Sequence, residues 1–355
     1  MIRQRWTKCG SKKRLLCHCG SSTSASDGVA GLEANLGIKS SMPQTQTESH
    51  NEGGKDAEKS ECPPQMERQV LYDVEGVPMI SVFFEYNERI RNFKAKPDDV
   101  LIATYPKAGT TWMIEIVDCI RKEGVTAEIK NQLSMTRSPF IEMGAANMMP
   151  SGVDLLENMP SPRLVKTHLP VNLVPKSFWD NDCKIIYVAR NAKDVLVSYY
   201  FFHKMNLGMP DPGSWEEYFE SYLSGNVAWG SWFDHVIGWW DIRERHQILY
   251  VFFEDIVQDP VREVERVARF LGKTLEGTTI NEILDHIAFS NMKDNPMTNY
   301  SIVPSHLMNQ EISPFMRKGK VGDWKNHFTV AQNERFEEEY RRRMAKTSLR
   351  FTDDF

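Results

Sequence analysis

The sequence predicts a single α/β domain: a central parallel sheet flanked by helices, with a P-loop-like anion-binding loop at the end of its first central strand. Two observations carry the sheet. Val100-Leu-Ile-Ala-Thr104, Lys184-Ile-Ile-Tyr-Val-Ala-Arg190 and Gln247-Ile-Leu-Tyr-Val-Phe-Phe253 are short, almost unbroken apolar runs, as buried parallel strands are. Apolar residues at helical intervals follow each of them. A third observation carries the loop. The first run leads into Thr104-Tyr-Pro-Lys-Ala-Gly-Thr-Thr-Trp112, a turn rich in small, hydroxyl and basic residues ahead of the helix pattern Met113-Ile-Glu-Ile-Val-Asp-Cys-Ile120.

Such a turn can wrap an anion. Gly109 lets the backbone come close, and the first helical N–H groups and the helix dipole face the ligand. Lys107 adds a mobile charge, and Thr110 and Thr111 add hydroxyls. It is not a true P-loop, because the lysine stands two residues before the glycine and no second glycine precedes it. The competing reading is an ordinary strand-to-helix turn with a surface lysine.

In chain order, residues 72–80 read as a short strand and turn, and residues 81–93 as a helix closed by the turn Pro97-Asp-Asp. Residues 131–162 form a long region rich in Met and Pro, holding Phe140, Ile141, Met143, Met148 and Met149. Adaptable side chains of this kind suit a gap-filled core, the favoured reading, or a plastic apolar pocket. Arg163-Leu-Val-Lys-Thr-His168 is a short strand delivering His168 into a turn. The strand ending at Arg190 passes through Asn191-Ala-Lys-Asp into a helix over residues 195–202. Ligands of open parallel sheets sit at the carboxyl ends of strands. Lys107, His168 and Arg190 all follow strand ends and are therefore expected to converge.

Residues 215–240 read as two helices whose tryptophans, including Trp229, Trp232, Trp239 and Trp240, pack the core. Asp259-Pro opens the next helix with an acidic cap and Pro at its first position, and that helix stops near Gly272. A further helix is expected over residues 279–288. Phe315-Met-Arg-Lys-Gly-Lys-Val-Gly-Asp-Trp324 is a second anion signal, basic side chains on flexible backbone. The final helix, residues 329–344, offers Glu337/Arg341, Glu338/Arg342 and Glu339/Arg343 at i,i+4, a solvated and self-supporting face.

Residues 1–65 differ from the rest. They are rich in Ser, Gly, Thr and Gln, carry nine Lys/Arg against seven Asp/Glu, and hold four of the six cysteines. A segment of this composition buries too little apolar surface to offset its ordering entropy and is expected to be disordered. A mitochondrial presequence over residues 1–26 and a metal site at Cys17-His-Cys19 are the weaker alternatives, and the folded protein is expected to start at Met66. Cys119 and Cys183, the only later cysteines, imply no disulfide framework and fit a reducing compartment. The net charge of −5 argues against bulk nucleic-acid binding, and no apolar run approaches the ~20 residues that cross a bilayer.

Taken together, Tyr105-Pro-Lys-Ala-Gly-Thr-Thr-Trp112, Lys166-Thr-His168, Tyr187-Val-Ala-Arg-Asn-Ala-Lys-Asp194 and Arg317-Lys-Gly-Lys-Val-Gly-Asp-Trp324 resemble the cytosolic sulfotransferases, and most closely their phenol branch. The resemblance runs from about Met66 to the C-terminus with the motifs in order. It implies a cytoplasmic enzyme that transfers a sulfuryl group from 3′-phosphoadenosine-5′-phosphosulfate to a hydroxyl of a small apolar acceptor, a phenol, without a metal. Lys107, Ala108, Gly109, Thr110 and Thr111 match the phosphosulfate loop, and Trp112 the residue that packs on adenine. Arg190, Ser198, Arg317, Lys318 and Gly319 match the 3′-phosphate site. Phe253, Phe289, Met292, Phe315 and Met316 are further expected donor contacts. His168 matches the catalytic base, with Lys107, Lys166 and Ser198 in supporting roles. Phe140, Lys166, Thr167, His168 and Phe202 are expected to meet the acceptor.

Three positions depart from the family pattern. Phe253 stands where Tyr is usual, and Ile287 and Ala288 stand where Thr and Ser are common beside Phe289. Lys325-Asn-His-Phe-Thr-Val-Ala-Gln-Asn-Glu334 fits the family's dimer motif and implies a homodimer. Two rivals remain at this stage. A nucleotide kinase would use Glu254-Asp255 after its strand as a metal site, but Gly-Lys-Ser/Thr is missing. A nucleotide-binding protein without turnover would need neither His168 nor Lys107.

Overall fold

The computed structural model describes residues 68–144 and 150–351. All of them fall in the unit Asn51–Phe355. The expectations for residues 1–65 (disorder, presequence, Cys17-His-Cys19, a start at Met66) lie outside the described residues, as do Met148 and Met149.

Four strands form the parallel sheet: β3 (Val100–Thr104), β4 (Leu164–Thr167), β5 (Lys184–Ala189) and β6 (Ile248–Phe252), in the order β4-β3-β5-β6. Every residue of β3 is buried, because helices cover both faces of this central strand. Alternation sorts its side chains. Leu101 and Ala103 enter one core together with Ile185, Tyr187 and Ala189 of β5, while Val100 and Ile102 enter the opposite core with Ile186 and Val188. The chain leaves β3 for β4 on one side and returns to β5 on the other. The switch point therefore lies at the carboxyl end of β3, where open parallel sheets bind ligands.

Before the sheet, residues 72–80 form a hairpin of two strands, β1 (Tyr72–Val74) and β2 (Val77–Met79), where one strand and a turn were expected. Gly76, at φ +83°, makes the reversal possible. The helix expected over residues 81–93 is two short pieces, Ser81–Phe84 and Asn87–Arg91.

Among the described residues, seven longer helices surround the sheet: α1 (Thr110–Arg121), α2 (Ala192–Met205), α3 (Trp215–Ser224), α4 (Trp232–Ile242), α5 (Pro260–Leu271), α6 (Gly277–His286) and α7 (Val330–Met344). Their ends follow local chemistry. Asn191 caps α2 by accepting from the Asp194 amide, and Asp259 caps α5 ahead of Pro260. Ser214 with Glu217 and Thr329 with Gln332 form capping boxes on α3 and α7. Gly225 and Gly272 end α3 and α5 in the left-handed conformation.

The aromatic stretch serves two purposes. Trp232 and Trp239 are buried core residues of α4, as expected. Trp229, between α3 and α4 at φ +63°, is also buried in that core as expected, and it lines the cavity described below as well. The acidic-first pairing expected on α7 is also revised. Glu337 pairs with Lys193 of α2 and Arg343 with Asp234 of α4, partners brought near by the fold, while Glu339 pairs with Arg342 at i,i+3 within α7.

Candidate active site

A cavity of about 260 Å³ opens at the carboxyl ends of β3, β4 and β5. Of the residues expected to meet donor or acceptor, only Ala108 and Thr167 do not line it. Ala108 is fully buried and its N–H donates to the Tyr105 carbonyl at 3.2 Å, so this amide is already used. Thr167 points to the far side of the strand, its hydroxyl donating to Glu142 Oε2 at 2.9 Å. Neighbouring residues of a strand face opposite ways, so Lys166 and Thr167 could not both face the cavity.

The loop after β3 turns on two left-handed residues, Lys107 at φ +68° and Gly109 at φ +105°. A side chain at 109 would also strike the Phe253 ring, its Cβ only 2.9 Å from a ring carbon. The amides of the first turn of α1 have no intrahelical acceptor and face the loop's hollow. The Lys107 ammonium sits over the rings of Phe202 and Phe315, 4.5 and 4.1 Å from their centroids. Burial, with Lys166, Arg190 and Arg317 repelling the charge, lowers its pKa to about 7.

Two arginines complete the positive end. Arg190 lies over Phe253 and donates to the carbonyls of Lys107 and Lys320, tying both basic loops together. Arg317 pairs with Asp323. The Nε atoms of both arginines are buried without a partner, a costly state that a bound anion relieves. Ser198 and Phe202, one turn apart on α2, join the wall. These features fit a ligand with more than one anionic group.

His168 is held from three sides. Its Nδ1 lies 2.8 Å from the Thr104 carbonyl, which can only accept, so Nδ1 carries the proton and Nε2 the lone pair. Thr104 Oγ1, 3.0 Å from the same nitrogen, links on to Thr110 Oγ1 at 2.7 Å. The His168 amide donates to Glu142 Oε1 at 2.6 Å, and its carbonyl accepts from His235 Nε2 at 2.9 Å. Burial first, and then the charge of Lys166, holds the His168 pKa well below the usual histidine range. The ring is a neutral base at neutral pH.

Sequence reasoning missed this support. Glu142 accepts from His168, Thr167 and the Trp229 indole, and burial raises its pKa to about 7. His235 is positioned in turn by the Tyr187 hydroxyl at 2.8 Å. Isolated polar residues within apolar runs give no signal of such partners, which meet only in the folded chain. The rest of the wall is mostly apolar, with Asn206 and Tyr300 as its polar members. The Phe83 and Trp229 rings lie 4.4 Å apart, Phe140 and Trp229 flank the His168 ring at 5.0 and 5.2 Å, and Met143, Met209 and Met308 complete it. The region read as favouring core thus divides, Ile141 in the core and Phe140 and Met143 at the cavity. Glu254, the metal ligand of the kinase reading, is buried and accepts from the Asn191 amide.

Comparison with known proteins agrees with this arrangement. Residues 97–348 match the family model described as a sulfotransferase domain. The chain is 54% identical over 289 residues to sulfotransferase 1C2 of Rattus norvegicus, covering 81% of this chain and 97% of that protein. It is 48% identical over 284 residues to sulfotransferase 1A1 of the same species, covering 80% and 97%. Mouse sulfotransferase SULT7A1, solved in complex with PAP, superposes with a TM-score of 0.67 at 30% identity, covering 78% of this chain and 96% of that one.

Proposed function

The chain belongs to the sulfotransferase family, and we propose that within it this enzyme sulfates a phenol, with His168 as the general base. The donor, 3′-phosphoadenosine-5′-phosphosulfate, supplies the sulfuryl group. The free amides of the first turn of α1 and the hydroxyls of Thr110 and Thr111 hold its phosphosulfate. Arg190, Ser198 and the segment Arg317-Lys-Gly319 hold its 3′-phosphate, and Trp112 and Phe289 pack on its base. At the other end Phe83, Phe140 and Trp229 receive a flat apolar ring.

The observation that carries the mechanism is the fixed tautomer of His168. With Nδ1 committed to the Thr104 carbonyl, Nε2 takes the acceptor's hydroxyl proton as that oxygen bonds to sulfur. Lys107 and the loop amides meet the charge left on the phosphate oxygen, a fixed electrostatic arrangement that needs no reorganisation. An adjoining anion draws Lys107 back to its charged form.

The reading extends to two further points. The segment 325–334 forms a homodimer contact; Val330 within it is 77% exposed, an apolar side chain that such a contact would cover. The enzyme is cytoplasmic, in keeping with the free, buried thiols of Cys119 and Cys183. No helix among the described residues is long and apolar enough to cross a membrane.

The test is transfer of labelled sulfate from the donor to 4-nitrophenol in the presence of EDTA. His168→Ala is expected to lower kcat by about a hundredfold or more while leaving the affinity for adenosine 3′,5′-bisphosphate unchanged. Binding of the bisphosphate with no turnover on any of a panel of phenols would replace this reading with that of a binding protein.

A further inference from the structure

The end of the cavity around Trp112 is unusually poor in hydrogen-bonding side chains. Ile287 and Met292 are buried beside Trp112, Met316 packs on the same apolar cluster, and the Phe253 ring meets the indole edge-on at 5.3 Å. Phe289 closes this end against Gly319, where a Cβ would fall 2.2 Å from a ring carbon. Among these side chains the only polar atom is Trp112 Nε1, which is buried and has no partner. An N–H in the plane of the indole cannot reach the edge of a ring stacked on the indole face. Of the nearby backbone amides, those of Ile287, Ala288 and Met292 are committed, donating to the carbonyls of Ile283, Asp285 and Ala288.

From this we infer that the donor site grips its nucleotide through the anionic groups and a stacked purine but does not read the group at purine position 6, so that hypoxanthine nucleotides bind alongside adenine nucleotides. The inference rests on the donor reading above, which places the base at Trp112. Its physical basis is the asymmetry of recognition. A site that pairs with a particular exocyclic group rejects its replacement by about 10⁴-fold or more, whereas apolar walls reject a near-isosteric change by about a hundredfold at most. Adenine presents an amino donor at position 6 and hypoxanthine a carbonyl acceptor. Neither finds a side-chain partner here, so the exchange breaks no such bond. A pyrimidine, by contrast, offers a smaller face to stack and is expected to bind less well. The three departures from the family pattern all lie at this end. Phe253 and Ile287 line the cavity, and Ala288 precedes Phe289.

Calorimetric titration of the full chain with the 3′,5′-bisphosphates of adenosine, inosine and uridine tests this without turnover. Adenosine and inosine are expected within tenfold of each other, with uridine more than tenfold weaker. A gap of more than tenfold between adenosine and inosine, or uridine binding as tightly as adenosine, would overturn the inference while leaving the donor reading intact. No binding of any of the three would overturn both. The double variant Phe253→Tyr with Ile287→Thr supplies hydroxyls to this end and is expected to widen the adenosine–inosine gap fivefold or more. An unchanged gap would remove the base from this end of the cavity.

Discussion

Raising the pH from 7 to 9 is expected to weaken binding of adenosine 3′,5′-bisphosphate about fiftyfold, because Lys107, which we propose meets the anion, is half-neutral in the free enzyme at pH 7. Lys107 is buried among Phe202, Phe315 and three like charges, and its pKa is lowered to about 7. If the bound anion restores it to about 10.5, linkage makes the affinity fall about fivefold from pH 7 to 8 and about ninefold from 8 to 9. The same numbers require uptake of about 0.9 proton per bisphosphate bound at pH 8. Titration calorimetry at pH 8 in two buffers of different ionisation enthalpy reads this directly. Lys107→Arg stays charged throughout and is expected to abolish the uptake, which separates the lysine from the ligand's own phosphates. Uptake below about 0.3 proton in the wild type, or equal uptake in Lys107→Arg, would refute the assignment. In the ligand-free protein the sign reverses its object: the unfolded chain binds the extra proton, so this residue makes stability rise between pH 7 and 10.5.

Three further outcomes follow from the same structure. Glu142→Ala leaves three buried donors unsatisfied and is expected to destabilise the fold by about 3 kcal/mol or more, seen as a Tm lower by at least about 6 °C in calorimetry. Gly109→Ala puts a Cβ against the Phe253 ring at φ +105° and is expected to cost about 1–2 kcal/mol, with bisphosphate affinity, measured by titration, falling severalfold. His203 and His235 are buried with pKa values lowered to about 4, so the unfolded chain binds more protons and stability is lost as pH falls from 6.5 to 4. At pH 5 each is expected to cost about 2 kcal/mol, visible as a lower urea midpoint than at pH 7 and recovered in part by His203→Gln.

Much of the site was legible because it is built from contiguous pieces. A strand, a turn with Lys107 and Gly109, and a helix start are local, and their chemistry follows from neighbours in sequence. The convergence of Lys107, His168 and Arg190 was also within reach, since parallel strands in register bring their carboxyl ends level: Ala103 pairs with Thr167 and Thr104 with Val188. What was misread or unreadable turns on which face a side chain takes and on contacts across the chain. Thr167 was placed at the acceptor, but strand alternation turns it toward Glu142. Trp229 was placed in the core, where it is buried, but that it also walls the cavity beside His168 follows only from the folded chain.

The sequence by itself therefore determined the strands, the anion-binding loops, the family and the donor, since each rests on residues within one turn or one strand of each other. Only the tertiary structure decided which nitrogen of His168 is basic, how far Lys107 loses its charge, and that Phe83 and Trp229 join Phe140 in walling the cavity beside His168. Those properties come from burial and from partners far apart in sequence, such as Glu142 with Trp229 and Lys107 with Arg317. Neither burial nor a partner at that distance leaves a trace in local residue order.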